Sequence, residues 1–370
     1  MLSIIVPTYN ERENVVQLTD RIAEAVSIPY EIVFVDDSDD DTPAILAALA
    51  RQRPQVRFVH RTSQRGLGSA VVEGFHLAQG HLLAVMDADL QHPPQLLMDM
   101  VRAAEAGADV VIPSRFVPGG SDGGLNGFRK LVSWTARMLA RLLLHRVRPV
   151  RDPTSGFFLI RRSVVEGIDM QPIGWKILIE ILVKGRYRRV VEIPYTFAAR
   201  AAGESKMGLR EQVEYLIHLG RLIAASPEDR RFWLYCLVGA SGVVVNFTVY
   251  WSLVRLAHWP VPMAGAAAAL CAMISNFLLN DRVTWRERKG GWLGARAARF
   301  LLVSLAGALI STTVLAVIHP YVHYLLANGI ATGTAVAWNF TMNERWTWAP
   351  RRPDHPEEPG LSPPSAGPRL

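Results

Sequence analysis

Two aspartates one residue apart, Asp87 and Asp89, are followed at once by Gln91 and lie between the apolar run 82–86 and His92-Pro93-Pro94. An apolar run of that length bounded by turn residues predicts a buried strand. The pair therefore stands where a strand leaves a sheet, the usual place for ligands in open α/β folds. Two carboxylates so close repel each other unless a cation lies between them. Oxygen donors of this kind suit Mg²⁺ or Mn²⁺ and the phosphates that accompany them. Taken alone, the pattern reads equally as a solvated acidic turn.

Two further turns carry chemistry. Pro7-Thr8-Tyr9-Asn10-Glu11 and Val35-Asp36-Asp37-Ser38 both fall at the carboxyl ends of predicted strands, facing one crevice. Tyr9 suits packing against a base, and Asp37 suits accepting hydrogen bonds from base or ribose; the bland reading is a pair of capped turns. His92, with Pro93 beside it and no second nearby histidine, reads as structural. His218, His319 and His323 form no ligand set. Lys176 and Glu180 stand at the spacing of an i,i+4 helical ion pair.

The elements that must position these groups follow from periodicity. Strand-like runs recur at 3–6, 31–35, 56–59, 82–86, 109–113 and 190–193, and helical patterns alternate with the first five. Asn10 with Glu13 resembles a capping box, Pro43 opens a second helix, and Pro93-Pro94 sits in the first turn of a third. This alternation predicts an α/β domain with a mostly parallel sheet and helices on both faces. From 128 to 147, apolar residues interleave with Arg129, Lys130, Arg137, Arg141 and Arg146, as in a basic helix lying in a headgroup layer or an ordinary surface helix packed on the sheet. A second amphipathic stretch covers 213–225.

Half of the 370 residues are hydrophobic, and the formal net charge is +7. Charged residues are dense to about residue 231, and long apolar segments dominate beyond it. Four segments, 232–254, 261–279, 300–318 and 321–340, each approach the ~20 residues that cross a bilayer core. Arg230, Arg231, the cluster from Arg282 to Arg299, and Arg345, Arg351 and Arg352 flank the same ends of these segments. By the positive-inside rule both termini and the α/β domain are cytoplasmic, in a multi-pass integral membrane protein. The basic clusters then face an anionic membrane rather than nucleic acid. The two cysteines, Cys236 and Cys271, lie in apolar segments and make neither a disulfide framework nor a metal cluster. Met1-Leu2-Ser3 runs straight into a strand with no secretory pattern.

Residues 275–285 match 338–348: Asn276-Phe277, Asn280, Arg282 and Trp285 correspond to Asn339-Phe340, Asn343, Arg345 and Trp348. Each copy ends a two-span hairpin, an arrangement found in transporters and in inert anchors. The domains expected are therefore 1–210 (α/β), 211–230 (amphipathic linker), 231–348 (all-α, four spans in two hairpins) and 349–370 (a Pro-rich, disordered tail).

Pro-Thr-Tyr-Asn-Glu, Val-Asp-Asp-Ser and Asp-Ala-Asp-Leu-Gln-His-Pro-Pro, in this order, resemble family 2 glycosyltransferases of the GT-A fold, a Rossmann-like α/β class. Ser114-Arg115-Phe116, Arg151 to Phe157, Gly174-Trp175-Lys176 with Glu180, and Arg200 with Gly203-Glu204-Ser205-Lys206 narrow the resemblance to dolichol-phosphate mannose synthases, over about 1–225. The repeated Asn-Phe…Asn-x-Arg-x-x-Trp segment resembles the GtrA-like membrane family. The resemblance implies that Pro7, Tyr9, Glu11, Val35 and Asp37 hold the donor nucleoside. Asp87, Asp89 and Gln91 would hold Mg²⁺ or Mn²⁺ at its diphosphate, and Arg115, Arg129 and Ser133 would meet the lipid phosphate. Arg200 and Lys206 would close over both phosphates, with Asp89, Arg115 and Arg129 at the centre of catalysis.

The expected reaction is transfer of a hexose, mannose from GDP-mannose, to a polyprenyl phosphate, with inversion. Three alternatives are weighed against it. UDP-glucose as donor keeps the same reaction. A processive polysaccharide synthase carries Gln-x-x-Arg-Trp, where this chain has Gln171-Pro172-Ile173-Gly174-Trp175. A lipid-sugar flippase with a vestigial head would need inward-facing charges, and the first two spans carry none except Arg255 at an end.

Overall fold

The computed structural model describes residues 1–63, 65–121, 123, 127–196, 209–288 and 290–349, leaving out the side chains of 127–129 and 209. The expected tail from 350 onward lies outside this range. The chain divides into two units, Met1–Asp229 and Arg230–Leu370.

In the first unit the chain runs β1 (Leu2–Thr8), α1 (Val15–Ala25), β2 (Tyr30–Asp36), α2 (Thr42–Gln52), β3 (Val56–His60), α3 (Leu67–Leu77) and β4 (Leu82–Val85). It continues with α4 (Leu96–Glu105), β5 (Val110–Ser114), α5 (Gly127–Leu143), β6 (Phe158–Arg161), α6 (Ile177–Lys184), β7 (Val190–Pro194) and α7 (Leu209–Ala225). The seven strands form one sheet in the order β3-β2-β1-β4-β6-β5-β7. All neighbours pair in parallel except β6, which is antiparallel to both β4 and β5. The sequence pattern missed β6, a four-residue strand with no helix of its own to mark it.

Alternation along the strands sends side chains to two cores. Ile5, Phe158 and Ile160 join one with Val71 and Phe75 of α3, while Ile4, Val6 and Leu159 join the other with Leu18, Ile22 and Met100. Helices therefore cover both faces, as a central sheet of near-continuous apolar strands requires. Tyr215, Leu219 and Leu222 of α7 are buried in the first core. Most of the expected linker thus belongs to this unit. Its opposite face leaves Val213, Leu216 and Ile217 exposed, and α5 exposes Leu131, Trp134 and Leu142 while burying Ala136 and Ala140.

Most of α8 (Pro227–Arg255) falls in the second unit, with α9 (Val261–Leu279), α10 (Leu293–Ile318) and α11 (Tyr324–Met342). Among the described residues, three helical stretches are long and apolar enough to cross a membrane: Pro227–Arg255, Val261–Thr284 and Leu293–Ile318. The fourth expected span, 321–340, forms the helix α11, but Asn328, Thr332, Thr334 and Asn339 dilute its apolar character, and it is not among the three.

The sequence repeat is a structural repeat. Each copy ends in a π-helical turn, Asn280–Thr284 or Asn343–Thr347. In one, Trp285 N–H donates to Asn280 O at 2.9 Å and Thr284 Oγ1 to Asn280 Oδ1 at 2.8 Å. In the other, Trp348 N–H donates to Asn343 O at 2.8 Å and Thr347 Oγ1 to Asn343 Oδ1 at 2.8 Å. Gly242 and Gly307 correspond as well, since a Cβ on either would collide with the side chain of Asn276 or Asn339 respectively.

Candidate functional site

β4 lies at the middle of the sheet, and its four side chains are buried. The chain must turn away from the sheet after Met86, and it does so through Asp87–His92. Leu90 takes a left-handed φ of 61°, while Gln91 N–H donates to Asp89 Oδ1 at 3.2 Å. Asp87 N–H donates to Nδ1 of His92 at 3.2 Å. That nitrogen must therefore be unprotonated, and burial holds the His92 pKa below its ordinary value. The ring stacks on Phe157 at 5.0 Å and meets Tyr195 edge-on at 6.5 Å. His92 is thus a buried strut for the acidic loop, as its sequence context implied.

The Asp87 side chain remains 35% exposed. Its space is reserved by Gly156, where a Cβ would stand 2.9 Å from Asp87 Oδ2. Among the described residues no group of three or more His, Cys, Asp or Glu side chains is arranged to hold a metal. Two carboxylates and an amide nonetheless fit Mg²⁺ or Mn²⁺, which take one or two protein carboxylates and complete their shell with water and substrate phosphates. Asp87, Asp89 and Gln91 are the residues that would hold such an ion.

The nucleotide-side turns are tied together. Asp36, fully buried, accepts from Thr8 Oγ1 at 2.7 Å and Ser38 Oγ at 2.5 Å, and pairs with Nδ1 of His60 at 2.7 Å. Asn10, at a left-handed φ of 58°, donates its N–H to Ser38 Oγ at 2.8 Å and accepts from Asp39 N–H at 2.9 Å. Asn10 therefore links two loops, whereas the sequence reading gave it a capping box; α1 begins only after Asn14. Glu11 N–H donates to Thr42 Oγ1 at 3.1 Å. Asp37 accepts a two-pronged bond from Arg61, at 2.8 and 2.6 Å, and another from Gly66 N–H at 2.8 Å. Its carboxylate thus organises the loop after β3. Tyr9 is exposed, Pro7 is buried at the end of β1, and the Val35 side chain packs into a small core with Val33 and Ala70.

On the opposite side Arg115, just past β5, grips the buried Asp152 with Nε at 2.8 Å and Nη2 at 3.0 Å. The peptide N–H groups of Arg151 and Asp152 both donate to the Glu192 carboxylate at 2.9 Å. The Arg137 guanidinium lies 3.5 Å from the centre of the Phe116 ring, and burial lowers its pKa. Lys176 is buried between Trp175, at 4.7 Å, and Tyr215, at 4.1 Å. Burial, reinforced by the nearby Arg115, brings its pKa down to about 7. Lys176 does not pair with Glu180, whose carboxylate instead accepts from Lys184 Nζ at 2.6 Å and Gln171 N–H at 2.9 Å.

The two sides converge. Asp87 and Asp89 on one side and Arg115 and Asp152 on the other all act electrostatically on the same two buried groups, His92 and Tyr195. Burial raises the Tyr195 phenol above its ordinary range, so it stays protonated. Ser133 is half-buried on α5, whereas the side chain of Arg129 and all of Arg200 and Lys206 lie outside the described residues. Sequence reasoning gave no site role to Arg137 or Lys176. The four-residue spacing of Arg129, Ser133 and Arg137 on one helix face was the available signal for the first. Lys176 entered the sequence reading only within the Gly174-Trp175-Lys176 segment of the family resemblance and as a spacing partner of Glu180.

Comparison with known proteins matches residues 3–169 to the model for glycosyl transferase family 2, and residues 234–355 to the GtrA/DPMS transmembrane domain. The dolichol-phosphate mannosyltransferase of Pyrococcus furiosus is 40% identical over 350 residues, 94% of this chain and 99% of that protein. That of Saccharomyces cerevisiae is 36% identical over 265 residues, 68% of this chain and 93% of the yeast protein. The polyprenol monophosphomannose synthase of Mycolicibacterium smegmatis is 38% identical over 213 residues, 55% and 80% of the two chains.

Proposed function

Because the chain belongs to the dolichol-phosphate mannosyltransferases of glycosyl transferase family 2, with a GtrA/DPMS transmembrane domain, we propose that it moves mannose from GDP-mannose to a polyprenyl phosphate. It is a membrane-bound glycosyltransferase; donor, acceptor, stereochemistry and orientation are the parts proposed. The observation that carries the reading is the acidic loop of Asp87 and Asp89, braced through His92 on Phe157 and Tyr195, close to Arg115 in its pair with Asp152. An acidic loop suits a cation-bound diphosphate, and a cationic cluster suits a second, anionic substrate.

A lipid phosphate is already ionised near neutral pH and needs no strong base to attack an anomeric carbon. The chain accordingly has to position and neutralise it. A single in-line displacement of nucleoside diphosphate by a phosphate oxygen inverts the anomeric centre. Arg115, held by Asp152 and over the Phe116 ring, supplies fixed positive charge without the entropy cost of a loose side chain. Arg129 and Ser133 on α5 would meet the same phosphate, with Arg137 and Lys176 adding positive charge behind it. A divalent ion at Asp87, Asp89 and Gln91 would act as a Lewis acid toward the leaving diphosphate. Pro7, Tyr9, Glu11, Val35 and Asp37 line the nucleoside side, and Arg200 and Lys206 are assigned to the two phosphates.

The exposed apolar residues on α5 and α7 support docking of the head on a bilayer, where a polyprenyl phosphate presents its headgroup. Three membrane-length helices with arginine-rich ends on one side support a cytoplasmic head and cytoplasmic termini. Purified protein in lipid nanodiscs, given polyprenyl phosphate with radiolabelled GDP-mannose or UDP-glucose, tests the reading. Mannosyl phosphoryl polyprenol is the expected product, and transfer from UDP-glucose alone would overturn the choice of donor.

A further inference from the structure

The second unit has a charged cavity lined by residues to which the proposed transfer assigns no role. It encloses about 270 Å³ and is lined by Arg230, Arg231, Leu234, Val283, Thr284 and Trp285, together with Arg282, Arg286, Glu287 and Arg288. The start of α8 and the turn after α9 meet there, at one end of a hairpin built from two membrane-length helices. Such an end lies at the level of lipid headgroups.

Charge in this cavity is unbalanced. Arg231 and Arg288 share one carboxylate, Glu344, at 3.1 and 3.4 Å. Arg230 and Arg286 share another, Glu287, at 3.4 and 3.7 Å. Arg282 has no ion pair among the described residues. The neighbouring Asp281 is committed to Arg296, at 2.8 Å, and to the Trp348 indole, at 3.0 Å. Five guanidinium groups thus face two shared carboxylates. Trp285, 1% exposed, adds an indole N–H that is buried without a hydrogen-bond partner in the structure. Guanidinium forks match phosphate oxygens geometrically, two bonds to each phosphate. The volume is just below the ~300–1,000 Å³ of pockets for drug-sized ligands, so it suits a headgroup rather than a whole sugar nucleotide. Leu234 and the exposed Val283 give the same rim an apolar side.

We propose that this cavity binds the phosphate of a membrane lipid headgroup, at a site separate from the acceptor phosphate site at Arg115. Such a site would anchor the hairpin to anionic lipid and does not depend on which sugar the head transfers. The test uses full-length protein in nanodiscs of phosphatidylcholine, with phosphatidylglycerol, polyprenyl phosphate or soluble inorganic phosphate added. Binding is read by native mass spectrometry, and stabilisation by the melting temperature. Arg282→Gln with Arg286→Gln removes two exposed arginines from the rim, and Arg188→Gln with Arg189→Gln removes two from the head as a charge control. At about 1 kcal/mol per arginine near an anionic surface, the rim variant should bind phosphatidylglycerol roughly tenfold to thirtyfold more weakly. The head variant should bind like the parent. Equal binding by the rim variant and the parent would overturn the site. An equal loss in both double variants would do the same, since it would reduce the effect to net charge. Saturation by inorganic phosphate, with no preference for lipid, would keep the anion site but overturn a lipid as its source.

Discussion

Trp285 and Trp348 stack face to face, with ring centroids 4.3 Å apart and planes 3° from parallel. They are the equivalent residues of the two sequence repeats, and both are 1% exposed. Their indole N–H groups nevertheless differ. That of Trp348 donates to Asp281 at 3.0 Å, and that of Trp285 is buried with no partner in the structure. The duplicated hairpins thus share a backbone solution, the π-helical turn, and diverge in how its tryptophan is satisfied.

Trp348→Phe should therefore cost more stability than Trp285→Phe. Both substitutions remove similar ring surface, but only the first removes a hydrogen bond to a carboxylate, worth about 1.5–3 kcal/mol. Melting of the two variants in the same nanodisc measures the difference. Equal destabilisation would mean that the Trp348–Asp281 bond contributes nothing.

Asp89→Ala should reduce transfer by roughly 10²–10³-fold or more, the usual scale for losing preorganised charge stabilisation in an active site. The protein should stay folded and membrane-bound, because Asp89 lies on a loop outside both cores. Chelation by EDTA should mimic the variant, and added Mg²⁺ or Mn²⁺ should restore the parent but not Asp89→Ala. Full activity in EDTA would remove the cation from the proposal.

Gly156→Ala tests the space beside Asp87. The added methyl would stand 2.9 Å from Asp87 Oδ2 and push the carboxylate out of place. Displacing a ligand's support typically costs 10–100-fold in metal affinity. The cation concentration for half-maximal activity should rise by about that factor, with the acceptor KM unchanged. An unchanged cation requirement would show that Asp87 sits elsewhere during turnover.

Lys176 makes a pH-dependent prediction. Its folded pKa of about 7 lies below the ordinary 10.5. Between those values the unfolded chain holds a proton that the folded one lacks, so the contribution to stability rises with pH across that window. Below pH 7 both states are protonated and the slope vanishes. Melting curves of the parent and Lys176→Met from pH 6 to 10 should diverge in this sense. The acceptor KM of the parent should also climb as pH passes 7, as positive charge leaves the cluster, while that of Lys176→Met stays flatter. Parallel pH profiles for the two proteins would exclude a charged Lys176 from acceptor binding.

Much of this protein is written locally in its sequence. Strand and helix periods, the acidic loop after β4 and the membrane-length apolar runs each depend on neighbours within a few residues, where side-chain direction follows from backbone geometry. The repeat around Trp285 and Trp348 was equally visible, because duplicated residues need no fold to be recognised. Tertiary structure decided what depends on distant partners. The strand β6 exists because two flanking strands, β4 and β5, accept it in antiparallel register. Arg115 meets Asp152 across 37 residues of sequence, and Glu180 turns to Lys184 and Gln171 rather than Lys176. Lys176 reads as a helical ion-pair partner of Glu180 until α7 lays Tyr215 over it. Burial removes the water that would hold its proton, and no spacing of residues along a chain encodes that loss.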